Sequence, residues 1–298
     1  MALDKIPQYN RIIDLTLETS GVFTQQLKIQ CPRRGRKPSI EINAKYAGNS
    51  TLYAFNVKVK NLYLDLINKQ YAKIKLKVGY ENNTIDMEGS ILSIYQESPG
   101  PEGSTIIQCQ DSGTFTTWLD AKLQVYFEAG TTLGDILEKI KDAIGANQVM
   151  MGTKARTLSL KTIFYHDGTA REALEKLEKV FMDDNLHAFL RNDMICAICY
   201  TSNDYVESFK LDYMSAPPQP NAGTSEGTAY TTVTAPWIPQ LKIGDRLEIP
   251  QATYMRYLTT VNAKGKATQF IQVTAMSLHF GTTGGINSMT VQGFDVKG

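Results

Sequence analysis

Residues 72–80 read Ala-Lys-Ile-Lys-Leu-Lys-Val-Gly-Tyr, which puts Ile74, Leu76 and Val78 on one side of an extended backbone and Lys73, Lys75 and Lys77 on the other. This period of two is the signature of a half-buried antiparallel strand. The same alternation predicts strands over 26–31, 39–46, 52–60, 86–95 and 104–111. Glu81-Asn-Asn-Thr84 and Ser98-Pro-Gly-Pro-Glu-Gly103 supply the turn residues between them. The stretch 61–67, "NLYLDLI", is long enough for only a turn or two of helix. The first segment is therefore expected to be a β-barrel or sandwich.

From about Thr117 to Tyr213 the period changes. Leu133, Ile136, Leu137, Ile140 and Ile144 recur at helical spacing over 132–144, and Ala170, Ala173, Leu174, Leu177 and Phe181 do so over 169–182. Each run opens on a threonine able to cap the helix, Thr132 or Thr169, with an acid three residues on, Asp135 or Glu172. Thr169-x-x-Glu172 is a capping box, and Asp135 suits the positive end of the helix dipole. Strands are expected at 156–165, 186–192 and 194–201. The shared text of "TLGDILEKI" and "TAREALEKL" is a cap, an apolar stripe and an exposed Glu-Lys pair, which makes it scaffold rather than chemistry.

Residues 215–239 are rich in Pro, Gly, Ser, Thr and Ala and read as a linker or a long extended excursion. Strands return as two short ones within 240–250 around Gly244-Asp245, then at 252–265, 267–281 and 288–296. The fold class is α+β, mainly β. Its expected divisions are a first β domain at 1–116, an α+β middle domain at 117–214, and a linker with a second β domain at 215–298.

Composition narrows the function. A chain of 298 residues with 42% hydrophobic and 20% charged residues is an ordinary globular mixture with room for a sizeable core. Its formal net charge of +1 offers no global attraction to nucleic acid or an anionic membrane, so specific nucleic-acid binding is not expected, and no run approaches the ~18 uncharged apolar residues that would span a bilayer, so neither is membrane insertion. The N-terminal residues lack a basic-then-apolar leader, so the chain is expected to fold in a cytoplasm. Four scattered cysteines, Cys31, Cys109, Cys196 and Cys199, fit free thiols in a reducing compartment.

Candidate chemistry is sparse. Cys196-Ala-Ile-Cys199 has the spacing of a zinc or thiol-exchange pair, but it sits in strand-like text without further ligands nearby and reads as two core thiols. His166-Asp167-Gly168, placed in a loop before the second helix, could form a base and its orienting acid, yet no nucleophile motif accompanies it. His187 and His279 are lone histidines in strands. Asp183-Asp184-Asn185 lacks the alternate carboxylates of a calcium loop and reads as a solvated turn. The basic run 33–37 is an exposed loop suited to an acidic protein neighbour. Trp118 and Trp237 suit anchors at domain junctions, with an exposed carbohydrate platform as the competing use. No catalytic, cofactor-binding or metal residue is assigned, and no cofactor or small-molecule substrate is expected.

The order of these parts resembles the baseplate hub proteins of bacteriophage tails and contractile injection machines. The likeness is carried by "VKNLYLDLI" before "KIKLKVGYENN", then "DMEGSILSI" and "IIQCQDSG", the helices "TTLGDILEKI" and "GTAREALEKLEKVF", and "LRNDMICAI". It ends on Pro-x-Leu-x-x-Gly-Asp-x-Leu-x-Ile, Pro239 to Ile249. The resemblance implies two tube-like antiparallel β-barrel domains with an intervening α/β domain, and three copies forming a ring. Such a ring joins the sixfold tail tube to the threefold spike or central fibre. It also implies other baseplate proteins and the tape-measure protein as partners, a place in the virion tail baseplate, and assembly in the host bacterial cytoplasm. A tail-associated cell-wall hydrolase or a carbohydrate-binding β-module is the alternative.

Overall fold

The computed structural model describes residues 11–20, 25–30, 38–47, 50–62, 71–81, 83–97, 103–111, 120–191, 194–200, 204–211, 219–221, 230–249, 269–282 and 287–296. The first strands are β1 (Arg11–Thr19), β2 (Gln26–Ile29), β3 (Ile40–Ala47), β4 (Ser50–Lys60), β5 (Tyr71–Tyr80), β6 (Asn83–Gln96) and β7 (Ser104–Asp111). The middle runs β8 (Lys122–Phe127), α1 (Leu133–Ile144), β9 (Gln148–Met151), β10 (Phe164–Thr169), α2 (Ala170–Val180), β11 (Leu186–Arg191) and β12 (Met194–Cys199). Then come β13 (Ser208–Lys210), β14 (Gln219–Asn221), β15 (Tyr230–Ala235), β16 (Arg246–Ile249), β17 (Gln269–Gly281) and β18 (Asn287–Val296). The chain is mainly β with two α-helices among the described residues.

The alternation that marks β5 also determines its surroundings. Ile74, Leu76 and Val78 are buried, while on the wet face Lys77 lies between Asp14 and Asp86, and Lys75 between Thr16 and Glu88. Lys75 also pairs with Glu18 at 3.3 Å. Opposite charges across neighbouring strands balance the stripe of lysines locally.

Strands β17, β3, β4, β7, β6, β5 and β1 lie side by side in that order, all antiparallel. The two ends of this run meet. Arg11, opening β1, donates from Nη1 to the carbonyl of Gly281, closing β17, at 2.9 Å. Tyr80 of β5 meets the Phe280 ring edge-on at 5.7 Å, and its hydroxyl accepts from the Asn287 side-chain amide. Strands at opposite ends of a run can touch only if the sheet curls around its core, as twist favours. Among the described residues, side chains rather than backbone pairing span that seam.

β17 belongs to two sets of partners. Its first residues, Gln269–Gln272, pair with β16, and its last, Met276–Gly281, pair with β3, while β18 runs along both halves. The switch falls at a bulge between Val273 and Ala275. A bulge bends a strand and re-aims the residues beyond it, which lets one strand serve two curvatures. The remaining order β14-β15-β18 completes one continuous sheet of thirteen strands, with β13 attached through β16. One buried cluster runs through it from Ile13 to Val291.

The middle residues build a second core. β8 and β10 form an antiparallel ribbon, and β11-β12-β9 a three-stranded sheet in which β9 is parallel to β12. α1 and α2 turn their apolar stripes onto this core, with Leu133, Ile136, Leu137 and Ile140 all fully buried. Thr132 and Thr169 cap as expected, accepting from the backbone of Asp135 and Glu172. Glu172 answers by accepting from the Thr169 N–H at 2.7 Å, completing the capping box. α1 stops at Gly145, whose φ of 70° is a left-handed cap.

Several expectations need correction. The strand expected at 156–165 is a 3₁₀ turn, Ala155–Thr157, followed by irregular chain, and the paired strand begins only at Phe164. Leu158 and Leu160 are buried as a strand face would be, but their backbones bond to the loop before α1, through Leu133 N–H to Leu158 and Leu160 N–H to Thr131. The stretch 215–239 is more than a linker, since it carries β14 and β15 and buries Val233, Ala235, Trp237 and Ile238. Between 240 and 250 one strand forms instead of two, because Leu241–Asp245 is a turn. The helical turn at 61–67 and the strand at 252–265 fall largely or wholly outside the described residues.

Candidate functional site at the junction of two sheets

Cys196 and Cys199 both lie on β12 and are buried. Three residues apart on a strand, they face opposite ways: Cys196 packs with Phe189 and Ile198, and Cys199 with the core beneath the helices. Two thiols on opposite faces of one strand cannot grip one ion or bridge one another. Burial pushes their pKa values up to about 12 for Cys196 and about 11 for Cys199, so they are not thiolates at neutral pH.

His166 and Asp167 are likewise neighbours on a strand, not on a loop. His166 points inward, its Nε2 2.8 Å from the Thr169 carbonyl, while Asp167 points out to solvent. An acid on the other face cannot orient that imidazole. His187 is buried, with Nδ1 2.7 Å from Glu178, and stacks between Phe189 at 5.3 Å and Tyr200 at 5.0 Å. His279 lies in β17 opposite Asn43 and Ser288. Asp183 and Asp184 form a short 3₁₀ turn ending at Asn185, and Asp184 pairs with Lys154 at 3.0 Å. No cluster of metal-ligating side chains occurs among the described residues. Trp237 is buried against Phe280 at 4.8 Å, so it cannot serve as an open platform for sugar. Trp118, Cys31 and the basic run 33–37 lie outside the described residues.

The structure gathers its buried charge elsewhere, where the three-stranded sheet meets the large one. Phe189, Cys196 and Ile198 form the outer face of β11 and β12 and pack with Val206 and Ile243. Arg191, at the end of β11, reaches across this seam to the fully buried carboxylate of Asp245. Asp245 Oδ1 also accepts from the Glu207 N–H at 3.1 Å, and Oδ2 from the Lys242 N–H at 2.8 Å. Glu207, exposed at the rim, stands 3.5 Å from the other arm of the guanidinium. Burial raises the Asp245 pKa to about 6, against the pull of Arg191. Burial likewise lowers that of Lys242, with Arg191 adding to the effect.

Gly244 makes the junction possible. Its φ is 85°, a conformation that glycine adopts freely, and a Cβ there would overlap the Phe189 ring. The Gly-Asp of the sequence pattern thus has two physical jobs: the glycine admits a ring from the neighbouring sheet, and the aspartate holds that sheet's arginine. A second tie lies alongside. The buried Asp204 carboxylate accepts from the N–H groups of Lys154, Ala155 and Cys199 at 3.1–3.3 Å, and its carbonyl accepts from Gln272 of β17. Sequence reading kept Asp245 only as part of a turn and a pattern and gave no role to Arg191 or Asp204; only a charge inside an otherwise apolar run, "LHAFLR", could have flagged Arg191.

This arrangement can hold two sheets in register. Solved proteins of phage tails and of a secretion system share the chain's fold. Over 95% of this chain and 96% of the other, at 10% identity and a TM-score of 0.56, it superposes on the 43 kDa tail protein of prophage MuSo2 from Shewanella oneidensis. The fold is that of phage tail proteins. A tail protein from Neisseria meningitidis shares this tail fold at a TM-score of 0.51 and 10% identity, over 96% of this chain and 97% of that one. So does an E. coli component of the type VI secretion system, at 0.52 and 9%, over 89% and 76%; that protein is described as similar to the T4 tail proteins gp27 and gp5. No protein-family model and no curated relative matches the sequence.

Proposed function

We propose that the chain is a structural baseplate hub of a phage tail or phage-like injection machine. Three copies form a ring, each giving two tube-like β-barrels to a sixfold face that meets the tail tube, and the opposite face meets the spike or central fibre. The observation that carries this reading is the tail-protein fold running nearly end to end in both chains, with no large remainder on either side. The curled run from β17 to β1 supports the first barrel, with β13 to β18 forming the second around the other half of β17. The division at 1–116, 117–214 and 215–298 belongs to this proposal, with β17 shared across the seam. Other baseplate proteins and the tape-measure protein are its further neighbours, and its place is the virion tail, assembled in the host cytoplasm.

We assign the chain no catalysis. A hydrolase resting on His166 and Asp167 loses its geometry, and a carbohydrate module resting on Trp237 loses its surface. The test is co-purification of the full chain with the tube and spike proteins of the same tail or injection machine. Capture of both at assembly concentrations is the expected result, and capture of neither would overturn the assignment.

A further inference from the structure

β8 and β10 form a sheet of only two strands, so each has a second edge. In an antiparallel pair, opposite residues alternate between bonding through both backbones and turning their N–H and C=O groups outwards. The Ala170 N–H donates to the Ala121 carbonyl at 2.9 Å, which sets the phase. Leu123, Val125 and Phe127 therefore turn their backbone groups towards β10, and Lys122, Gln124 and Tyr126 turn theirs away. On β10 the outward residues are Tyr165, Asp167 and Thr169, and the fold fills that edge at both ends. Lys176 of α2 donates to the Tyr165 carbonyl at 2.5 Å, Glu172 accepts from the Thr169 N–H, and His166 Nε2 lies 2.8 Å from the Thr169 carbonyl. β8 differs: among the described residues, no hydrogen bond reaches the outward backbone groups of Lys122, Gln124 and Tyr126. Nor does a bulge or a proline blunt this edge, since the register of β8 is unbroken.

The same three residues carry the exposed face of the strand. Tyr126, 57% exposed, stands directly opposite Tyr165, 50% exposed, with Ile163 at 60% just ahead of β10. Lys122 is exposed at the other end and has no ion pair among the described residues. We propose that the outer edge of β8 docks an extended strand of another protein, which joins the ribbon antiparallel as its third strand. The backbone groups of Lys122, Gln124 and Tyr126 supply the ladder, and the face supplies the preference: an acidic side chain beside Lys122 and an apolar one beside Tyr126. A second copy of this chain fits less well. Two β8 strands paired antiparallel through these residues would set Lys122 against Tyr126 and Gln124 against itself, leaving both lysines without an acid. Glu128, the next acid along, lies beyond the strand, and its carbonyl already accepts from Thr131. This docking does not depend on the tail assignment.

Hydrogen exchange of the full chain, read on single amides by NMR, tests it with the capped peptide Ile-Val-Thr-Val-Asp at millimolar concentration as the probe. In the chain alone the amides of Lys122, Gln124 and Tyr126 should exchange nearly as fast as in an unfolded peptide, and those of Leu123, Val125 and Phe127 far more slowly. Adding the peptide should slow the first three severalfold. N-methylation of its threonine, whose N–H would bond to the Gln124 carbonyl, should abolish the slowing, while N-methylation of either valine, whose N–H points away, should leave it. Replacing its aspartate by lysine should weaken the effect. Gln124→Pro, tolerated at an edge because that N–H faces solvent, should remove it. Exchange unchanged by the peptide, equal effects of the two kinds of methylated peptide, or a lysine peptide that acts as well would overturn the proposal, whether or not Gln124→Pro folds. So would slow exchange of the three amides in the chain alone, because the edge would then already be filled, by a second copy where the slowing grows with concentration.

Discussion

Gly244 shows how one residue can carry a junction. Its positive φ and the ring of Phe189 against it leave no room for a side chain. Gly244→Ala should cost about 1–3 kcal/mol from backbone strain, with more from displacing the ring. Chemical denaturation would check this, and a change within experimental error would contradict it. The thiols make a second test at this scale. With their pKa values raised by burial, Cys196 and Cys199 should resist alkylation at pH 8 in the native protein and react once it unfolds. Peptide mapping by mass spectrometry would show it, and native labelling at the rate of free cysteine would refute it. Sequence reading took these cysteines for core thiols because they lie in strand text without further ligands nearby, and their places on opposite faces of β12 supply the geometric reason. It did not show Arg191 meeting Asp245, which are 54 residues apart and joined only by the packing of two sheets.

At the scale of elements, local chemistry decided what was legible. Both middle helices could be read from caps and stripes because helical period and capping are set within a few residues. Replacing Thr169 by Ala should therefore destabilise the protein by about 1 kcal/mol, since it removes one half of a reciprocal cap. Thermal unfolding would measure it, and an unchanged midpoint would mean that the box adds nothing. Strands were harder. β1 alternates as cleanly as β5, with Ile13, Leu15 and Leu17 buried, yet it lies ahead of 26–31, the first strand that the sequence pattern predicts. β15 was hidden by its composition: Thr and Ala fill "YTTVTA", where Thr231, Val233 and Ala235 are buried and Thr232 and Thr234 lie on the other face. At 156–165 the alternation was real, but only a single bridge from Ser159 to Thr132 and the last two residues, from Phe164 on, found a partner. Period reports which side is buried, whereas pairing depends on a partner elsewhere in the chain.

For the whole molecule, the order of β, then α+β, then β was visible in the sequence. The continuity of the large sheet was not. β17 joins the first segment to the last by pairing with β3 and β16 in turn, and no local signal records such an exchange beyond the length of the strand itself. The seam closed by Arg11, Tyr80 and Asn287 is of the same kind, uniting residues more than 200 positions apart. These long-range ties make the first and last segments one continuous sheet, which suits the adaptor role proposed above. The central claim is that this molecule works as a ring of three. Native mass spectrometry of the full chain, alone and with the neighbouring spike protein, tests that most directly: the account predicts a species of three copies, formed alone or on adding the spike. A chain that stays monomeric in both conditions would contradict it.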